Sequence, residues 1–306
     1  MEKVGSRALI VEGGAMRGVF SCGILDHFLA SEFSPFDSFW GVSAGASNLA
    51  AYLAKMPGRN LKIYLDYSLR KEFISPSQLL RGGDMMNLDW MWNVTLEELG
   101  IDKSALKADS RPFFLGVTRQ DNGQAEYHLP DIDDLAETMK ASSALPVLYR
   151  NGVSLNGIQY VDGGVSDALP VLYRNGVSLN GIQYVDGGVS DALPVAEAIK
   201  RGAKKIMVLR SQPASYQKPR GKFSALTRRM LKETPGLIEP MLTREVRYNQ
   251  TLALINNPPP GIEIIQVCPP ETFKLKRLSR SPAPLRHAYE LGIEAGKEAI
   301  IRWSQK

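Results

Sequence analysis

The spacing of apolar positions along the chain predicts strands that alternate with helices. Residues 8–11 are apolar and end at two glycines, and residues 18–30 then carry the apolar spacing typical of a helix. The same pattern follows at once, with a strand predicted at 36–42 and an Ala- and Leu-rich helix at 44–56. Because strands that alternate with helices favour a parallel sheet, we expect an α/β fold.

The rest of the chain predicts one hairpin and further elements of the same fold. AspAsnGly at 121–123 is typical of the turn between two antiparallel strands. The other predicted elements are strands at 112–118, 124–128, 205–209 and 263–267 and helices at 131–143, 195–201 and 285–303. We expect a catalytic domain over residues 1–210 and a basic C-terminal region, 211–306, that packs on the same domain.

One stretch of 24 residues occurs twice without a difference. VLYRNGVSLNGIQYVDGGVSDALP fills residues 147–170 and again residues 171–194. Solenoid repeats drift in sequence and need three or more units to bury a core, so an identical pair indicates a tandem duplication within one domain. A fold of this kind offers one place for the segment, and only one copy can occupy it.

The charge of the chain is unevenly distributed, although its composition is that of an ordinary globular protein. From Lys200 to the end, 21 Lys and Arg stand against 8 Asp and Glu, an excess of 13 positive charges. Because the whole chain carries +5, residues 1–199 carry −8. The basic third predicts peripheral contact with an anionic membrane. A solvated basic face without a partner is one alternative. Nucleic acid is the weaker one, since no nucleic-acid-binding motif accompanies the charge.

Cysteine usage and the absence of long apolar segments predict a cytoplasmic protein. Cys22 and Cys268 lie far apart and match no metal-ligand spacing, which is typical of reduced thiols in an intracellular protein. No signal peptide precedes the first strand, and no apolar run approaches the roughly 20 residues that span a bilayer. We expect a cytoplasmic protein that lies at most on the inner membrane surface, and the oligomeric state is not predicted.

The motif GVSAG at 41–45 lies between a predicted strand and a predicted helix. Gly41 and Gly45 allow the sharp turn of a nucleophile elbow, from which the Ser43 hydroxyl projects at the sheet edge. The helix N-terminus beneath Ser43 supplies partial positive charge and free N–H groups. This context predicts a catalytic nucleophile, whereas a tight packing turn is the alternative.

The glycine-rich turn at 12–18 presents backbone N–H groups to an anion at the start of a helix. It fits neither a dinucleotide fingerprint nor a P-loop, because G-x-G-x-x-G is broken and G-x-x-x-x-G-K-[ST] is absent. An oxyanion hole fits better, with a basic side chain that can face an oxyanion or a lipid phosphate. The predicted oxyanion-hole residues are Gly13, Gly14, Ala15, Met16 and Arg17.

The duplicated YVDGG places a carboxylate at a predicted strand end in each copy, Asp162 in the first and Asp186 in the second. A carboxylate followed by two glycines can approach another loop closely and accept the proton of a serine hydroxyl. A hairpin turn that uses AspGly is the alternative. Since the copies are identical, only connectivity can choose between them, and emergence order during synthesis slightly favours Asp162.

Together these three segments resemble the patatin-like phospholipases in order and spacing, over about residues 7–210. The glycine loop of that family usually reads G-G-G-x-[RK]-G, whereas here Ala15 takes the third glycine position and the basic residue is Arg17. The resemblance implies a three-layer α/β/α fold with a mostly parallel central sheet. It also implies a Ser–Asp dyad that hydrolyses fatty acyl esters of lipids or phospholipids without a metal or cofactor. It carries over Ser43 as nucleophile and either Asp162 or Asp186 as base.

Two other interpretations remain open at this point. A Ser–Asp–His triad of the α/β-hydrolase kind is available in chain order and would end at His287, although the elbow follows only one strand. A catalytically impaired lipid-binding protein would result if the duplication misplaces the acid. In addition, the Met- and Trp-dense segment at 85–94 predicts either core packing or a lid or acyl-chain pocket.

Overall fold

A computed structural model of the chain describes residues 4–73, 87–144, 177–220 and 234–305. The strands are β1 (Arg7–Val11), β2 (Ser38–Val42), β3 (Phe113–Arg119), β4 (Ala125–His128), β5 (Val177–Leu179), β6 (Ile182–Asp186), β7 (Lys205–Leu209) and β8 (Glu263–Val267). The helices are α1 (Val19–Ala30), α2 (Ala44–Leu53), α3 (Arg59–Lys62), α4 (Leu88–Glu98), α5 (Lys103–Ala108), α6 (Leu135–Ser143), α7 (Val195–Lys200), α8 (Ile238–Leu242), α9 (Arg244–Asn256) and α10 (Pro282–Ser304).

These strands form one mostly parallel sheet in the order β5-β6-β3-β2-β1-β7-β8, with β4 also paired to β3. β1, β2, β3, β7 and β8 are parallel. β4, β5 and β6 are antiparallel to their neighbours. The predicted hairpin is present between β3 and β4, and the positive φ of 72° at Gly123 suits its turn. The sheet confirms the predicted α/β fold class.

Helices cover both faces of the sheet, so the fold has the three layers that the resemblance implies. In β1, Leu9 and Val11 face a core formed with α1, α2 and α10. Ala8 and Ile10 face the opposite core, which α7 and α9 complete. Successive residues of a strand point to opposite faces, and here both faces are apolar because both are buried.

The C-terminal region contributes to the same sheet and to the same core. β8 pairs in parallel with β7 along its whole length. α10 packs against α1, where Leu285 and Ala299 are buried. None of the helices in the described ranges combines the length and the apolar character that crossing a bilayer requires.

Candidate active site

Ser43 occupies the sharp turn between β2 and α2 and is the N-cap residue of α2. Its φ of 54° and ψ of −125° lie in a region that residues other than glycine rarely adopt. A Cβ at Gly41 would come within 2.5 Å of the Cα of Ala46. A Cβ at Gly45 would come within 2.2 Å of the Val11 carbonyl oxygen. The flanking glycines are therefore required by crowding at a nucleophile elbow.

A second serine holds the elbow in place. The backbone N–H of Ser43 donates to Ser142 Oγ at 2.9 Å, and the Ser142 hydroxyl donates to the Gly116 carbonyl at 2.7 Å. Ser142 belongs to α6 and Gly116 to β3, so the turn is tied to the neighbouring strand. Ser142 was not predicted, because a serine within a helix carries no motif of its own.

Asp186 ends β6 with its side chain within hydrogen-bonding reach of the Ser43 hydroxyl. Its Oδ1 accepts the N–H of Gly188 at 2.7 Å, and its own N–H donates to the Ala144 carbonyl at 2.7 Å. Antiparallel pairing of β6 with β3 sets Asp186 opposite Val117. This register fixes the position of Asp186 along the strand. The residue is only 2% exposed. Two residues predicted from separate motifs are thus brought together.

The surroundings of Asp186 have opposing effects on its pKa. Burial raises the pKa of Asp186, because the carboxylate loses solvation. The hydrogen bond from Ser43, the positive charge of Arg244, the N–H of Gly188 and the positive charge of Arg277 oppose that rise. The surroundings therefore favour a carboxylate that can both lose and regain a proton.

Arginines of α9 hold the loop that follows Asp186. Arg244 Nε donates to the Gly188 carbonyl at 2.6 Å. Arg247 donates through Nε to the Ser190 carbonyl at 2.8 Å and through Nη2 to the Val189 carbonyl at 2.9 Å. From the sequence, these two arginines were recognised only as part of the positive charge of the C-terminal third. Their i, i+3 spacing on one helix was the available sign of a shared face.

The glycine-rich loop after β1 lies beside Ser43. Within it, the N–H of Met16 donates to the Arg277 carbonyl at 3.1 Å, and the N–H of Arg17 donates to the Gly14 carbonyl at 3.2 Å. Within the described ranges, no hydrogen bond is donated by the backbone N–H groups of Gly13, Gly14 and Ala15. Of the five predicted oxyanion residues, these three keep an N–H group that a substrate could use.

Ala15 adopts a φ of 49°, in the left-handed region that favours glycine. At this position the patatin-like phospholipases, which the sequence resembles, usually carry the third glycine of their loop. The sequence departs from the family here, but the backbone conformation that a glycine would favour is kept.

Buried polar contacts support the glycine-rich loop. The Glu12 carboxylate accepts the N–H of Ser211 at 2.6 Å and the hydroxyl of Tyr248 at 2.7 Å. Arg17 is buried and donates through Nη2 to Ser211 Oγ at 3.4 Å. Arg17 is not among the described residues that line the cavity at Ser43, so its side chain acts on the loop.

A cavity with a largely apolar wall opens at Ser43 and Ala15. Met91 and Trp92 come from the Met- and Trp-dense segment, whose first two residues lie outside the described ranges. Apolar residues in the wall include Ile63, Phe73, Met91, Trp92, Met139 and Leu278. Soft and bulky side chains of this kind suit a flexible acyl chain.

The three histidines lie apart from Ser43. His27 forms a hydrogen bond with the Ser31 hydroxyl, and His128 forms one with the Glu126 carboxylate. The side chain of His287 is 71% exposed on α10. None of them lines the cavity, so this geometry gives the triad alternative no support.

Within the described ranges, no group of three or more His, Cys, Asp or Glu side chains is placed to hold a metal ion.

The two copies of the repeat are not equally described. The second copy supplies β5, β6 and the AspGlyGly turn. The first copy, residues 147–170, lies outside the described residues together with Asp162. The preference for Asp162 therefore remains a prediction, and the structure places Asp186 beside Ser43.

Comparisons with known proteins assign the chain to a family. A family model described as patatin-like phospholipase matches residues 9–174, and one described as a domain of unknown function, DUF6363, matches residues 234–305. The uncharacterized protein YjjU of Escherichia coli (strain K12) is 35% identical over 299 residues, which cover 96% of this chain and 76% of YjjU. The crystal structure of VipD from Legionella pneumophila aligns with a TM-score of 0.42 and 14% identity, covering 97% of this chain and 67% of VipD.

The range matched by the patatin-like model contains Ser43 and Asp162 and ends before Asp186. Because the two copies of the repeat are identical, a sequence match cannot distinguish the two acids. The matched range nevertheless covers more than half of the chain. The chain therefore belongs to the patatin-like phospholipase family.

Proposed function

We propose that the protein is a serine lipid acyl hydrolase of the phospholipase A or lysophospholipase kind, with Ser43 as nucleophile and Asp186 as base. The observation that carries the proposal is the contact between the Ser43 hydroxyl and the buried Asp186 carboxylate beside an apolar cavity. Membership of the family supports the hydrolysis of lipid acyl esters in general.

The first half of the reaction acylates the serine. Asp186 takes the proton of Ser43 Oγ as that oxygen bonds to the ester carbonyl carbon. Negative charge then develops on the carbonyl oxygen, where N–H groups of Gly14 and Ala15 donate to it. Losing one such donor typically costs about 10²–10³ in rate. When the intermediate collapses, the ester C–O bond breaks and the leaving alcohol takes the proton from Asp186.

The second half releases the fatty acid. Asp186 accepts a proton from water as the water oxygen attacks the acyl carbon, and the same N–H groups hold the oxyanion. The bond to Ser43 Oγ then breaks, and that oxygen recovers its proton from Asp186. Both halves begin with an ionised Asp186, so the positive charges of Arg244 and Arg277 favour the reactive form.

Replacement of the nucleophile tests this proposal. Ser43→Ala should fold normally but lose fluorophosphonate labelling and at least about 10³-fold of its ester hydrolysis, because the change removes the oxygen that attacks the ester carbonyl. Ser31→Ala, at a surface serine outside the cavity, is the matched control and should keep both. Continued labelling of the Ser43→Ala protein would show that another residue is the nucleophile.

A further inference from the structure

The cavity at Ser43 contains a buried cation that the hydrolytic steps do not use. Arg59, the first residue of α3, lines the cavity and is only 8% exposed. Its Nε donates to the Leu99 carbonyl at 2.7 Å and its Nη1 to Asn60 Oδ1 at 2.8 Å. Both acceptors are neutral, and no carboxylate in the described ranges forms an ion pair with Arg59.

A buried cation without a counter-ion is costly, because desolvation is not offset by an opposite charge. Burial alone lowers the pKa of Arg59 to about 10. The guanidinium is therefore still protonated at neutral pH. An anionic group of a bound ligand would offset that cost.

The charges of the cavity wall point to the same kind of ligand. Two arginines, Arg59 and Arg277, belong to the described wall, and no Asp or Glu does. Asp186, which interacts with the Ser43 hydroxyl, is not among the residues of that wall. A ligand that fits must combine an apolar chain with a negative charge.

The position of Arg59 relative to Ser43 limits where that charge can sit. The neighbouring Asn60 donates through Nδ2 to the Ser47 carbonyl at 2.8 Å. Ser47 is about one helical turn after Ser43 in α2, a rise of roughly 6 Å. In a glycerophospholipid only a few covalent bonds separate an ester carbonyl from the phosphorus atom, so one molecule can reach both residues.

We propose that Arg59 binds the phosphate of a glycerophospholipid and thereby selects phosphate-bearing acyl esters over neutral ones. This inference rests on the proposed acyl hydrolase function. Asn60 and Leu99 orient the guanidinium, and the charge-assisted contact is made only when a phosphate enters the cavity.

Substrate pairs test the inference with four proteins: the wild type, Arg59→Gln, Arg59→Lys and Lys62→Gln. Lys62→Gln is the matched control, because it removes an exposed charge from the same helix outside the cavity. The kcat/KM is measured for a short-chain phosphatidylglycerol, for the diacylglycerol with the same acyl chains and for p-nitrophenyl butyrate.

Arg59→Gln should lower kcat/KM for phosphatidylglycerol by roughly 10- to 100-fold, the range expected for loss of a charged hydrogen bond. The two neutral esters should change by less than about threefold, and Arg59→Lys should recover part of the loss because its charge is kept. An equal loss on all three substrates, or no loss on phosphatidylglycerol, would overturn the inference. Absence of p-nitrophenyl butyrate turnover in the wild type would instead count against the proposed function.

A measurement on the wild type alone keeps the inference testable if the Arg59 variants do not fold. Decyl phosphate should bind at least about tenfold more tightly than 1-decyl glycerol by calorimetry, which requires no turnover. Equal affinities would overturn the inference. Inorganic phosphate that bound as tightly as decyl phosphate would show a free-phosphate site and would overturn the lipid assignment.

Discussion

The guanidinium of Arg244 donates through Nε to the carbonyl of Gly188 at 2.6 Å, two residues after the proposed base Asp186. Arg244 lies in the range matched by the domain of unknown function, whereas Ser43 lies in the range matched by the patatin-like model. The site is therefore completed by both parts of the chain. This contact ties the C-terminal region to the loop that follows the proposed base.

Arg244→Gln should shift the pH dependence of hydrolysis. Arg244 opposes the rise that burial causes in the pKa of Asp186, alongside Arg277, Ser43 and the N–H of Gly188. Without Arg244 that pKa rises further, so Asp186 is protonated at pH values where the wild-type base is ionised. The acid limb of a kcat/KM profile against pH should therefore move to higher pH.

Arg247→Gln is the comparison variant for this experiment. Arg247 also donates hydrogen bonds to the loop after Asp186, but at Val189 and Ser190, and it is not among the largest influences on the pKa of the carboxyl group. Its loss should lower stability while the acid limb keeps its position. Equal shifts in both variants, or no shift in Arg244→Gln, would contradict the role assigned to Arg244.

The cavity rim, formed by the basic segment 274–280, should bind anionic membranes. Arg277 and Leu278 line the cavity, and Lys274, Lys276 and Arg280 of the same segment are exposed. Each cation near an anionic surface contributes about 1 kcal/mol. Replacing the three exposed residues by Gln should weaken cosedimentation with phosphatidylserine vesicles by at least about tenfold.

Three exposed lysines elsewhere, Lys103, Lys107 and Lys204, provide the matched control. Their replacement by Gln removes the same charge but should leave vesicle binding close to that of the wild type. Wild-type binding should also weaken as salt rises. Equal binding to neutral vesicles, or equal losses in the two triple variants, would contradict an electrostatic contact at the cavity rim.

Elements with strong periodicity could be predicted closely from the sequence. The strands at 205–209 and 263–267 have the predicted bounds, because apolar runs between turn residues define a buried strand. Helix ends were less accurate. The helix predicted to reach Met56 ends at Leu53, and Lys55 follows with a positive φ of 54°. An Ala-rich pattern does not encode where tertiary contacts stop a helix.

The site could be predicted where a motif fixes local backbone geometry, as at Ser43 and AspGlyGly. Ser142, Arg244 and Arg59 were missed, because their roles depend on contacts between distant parts of the chain. Ser142 meets Ser43 across 99 residues, and Arg244 meets Gly188 across 56. The choice between the two acids could not be made from the sequence either, since identical segments have identical local preferences.

The proposed hydrolysis depends most directly on the acid that serves Ser43. Asp162→Asn and Asp186→Asn are matched changes within identical 24-residue segments, so their comparison separates position from sequence. Measured side by side on one lipid ester, Asp186→Asn should lose at least about 10³-fold in kcat, because an amide cannot accept the proton of Ser43. Asp162→Asn should stay near the wild-type rate. Full activity in Asp186→Asn, with or without loss in Asp162→Asn, would contradict the Ser43–Asp186 dyad.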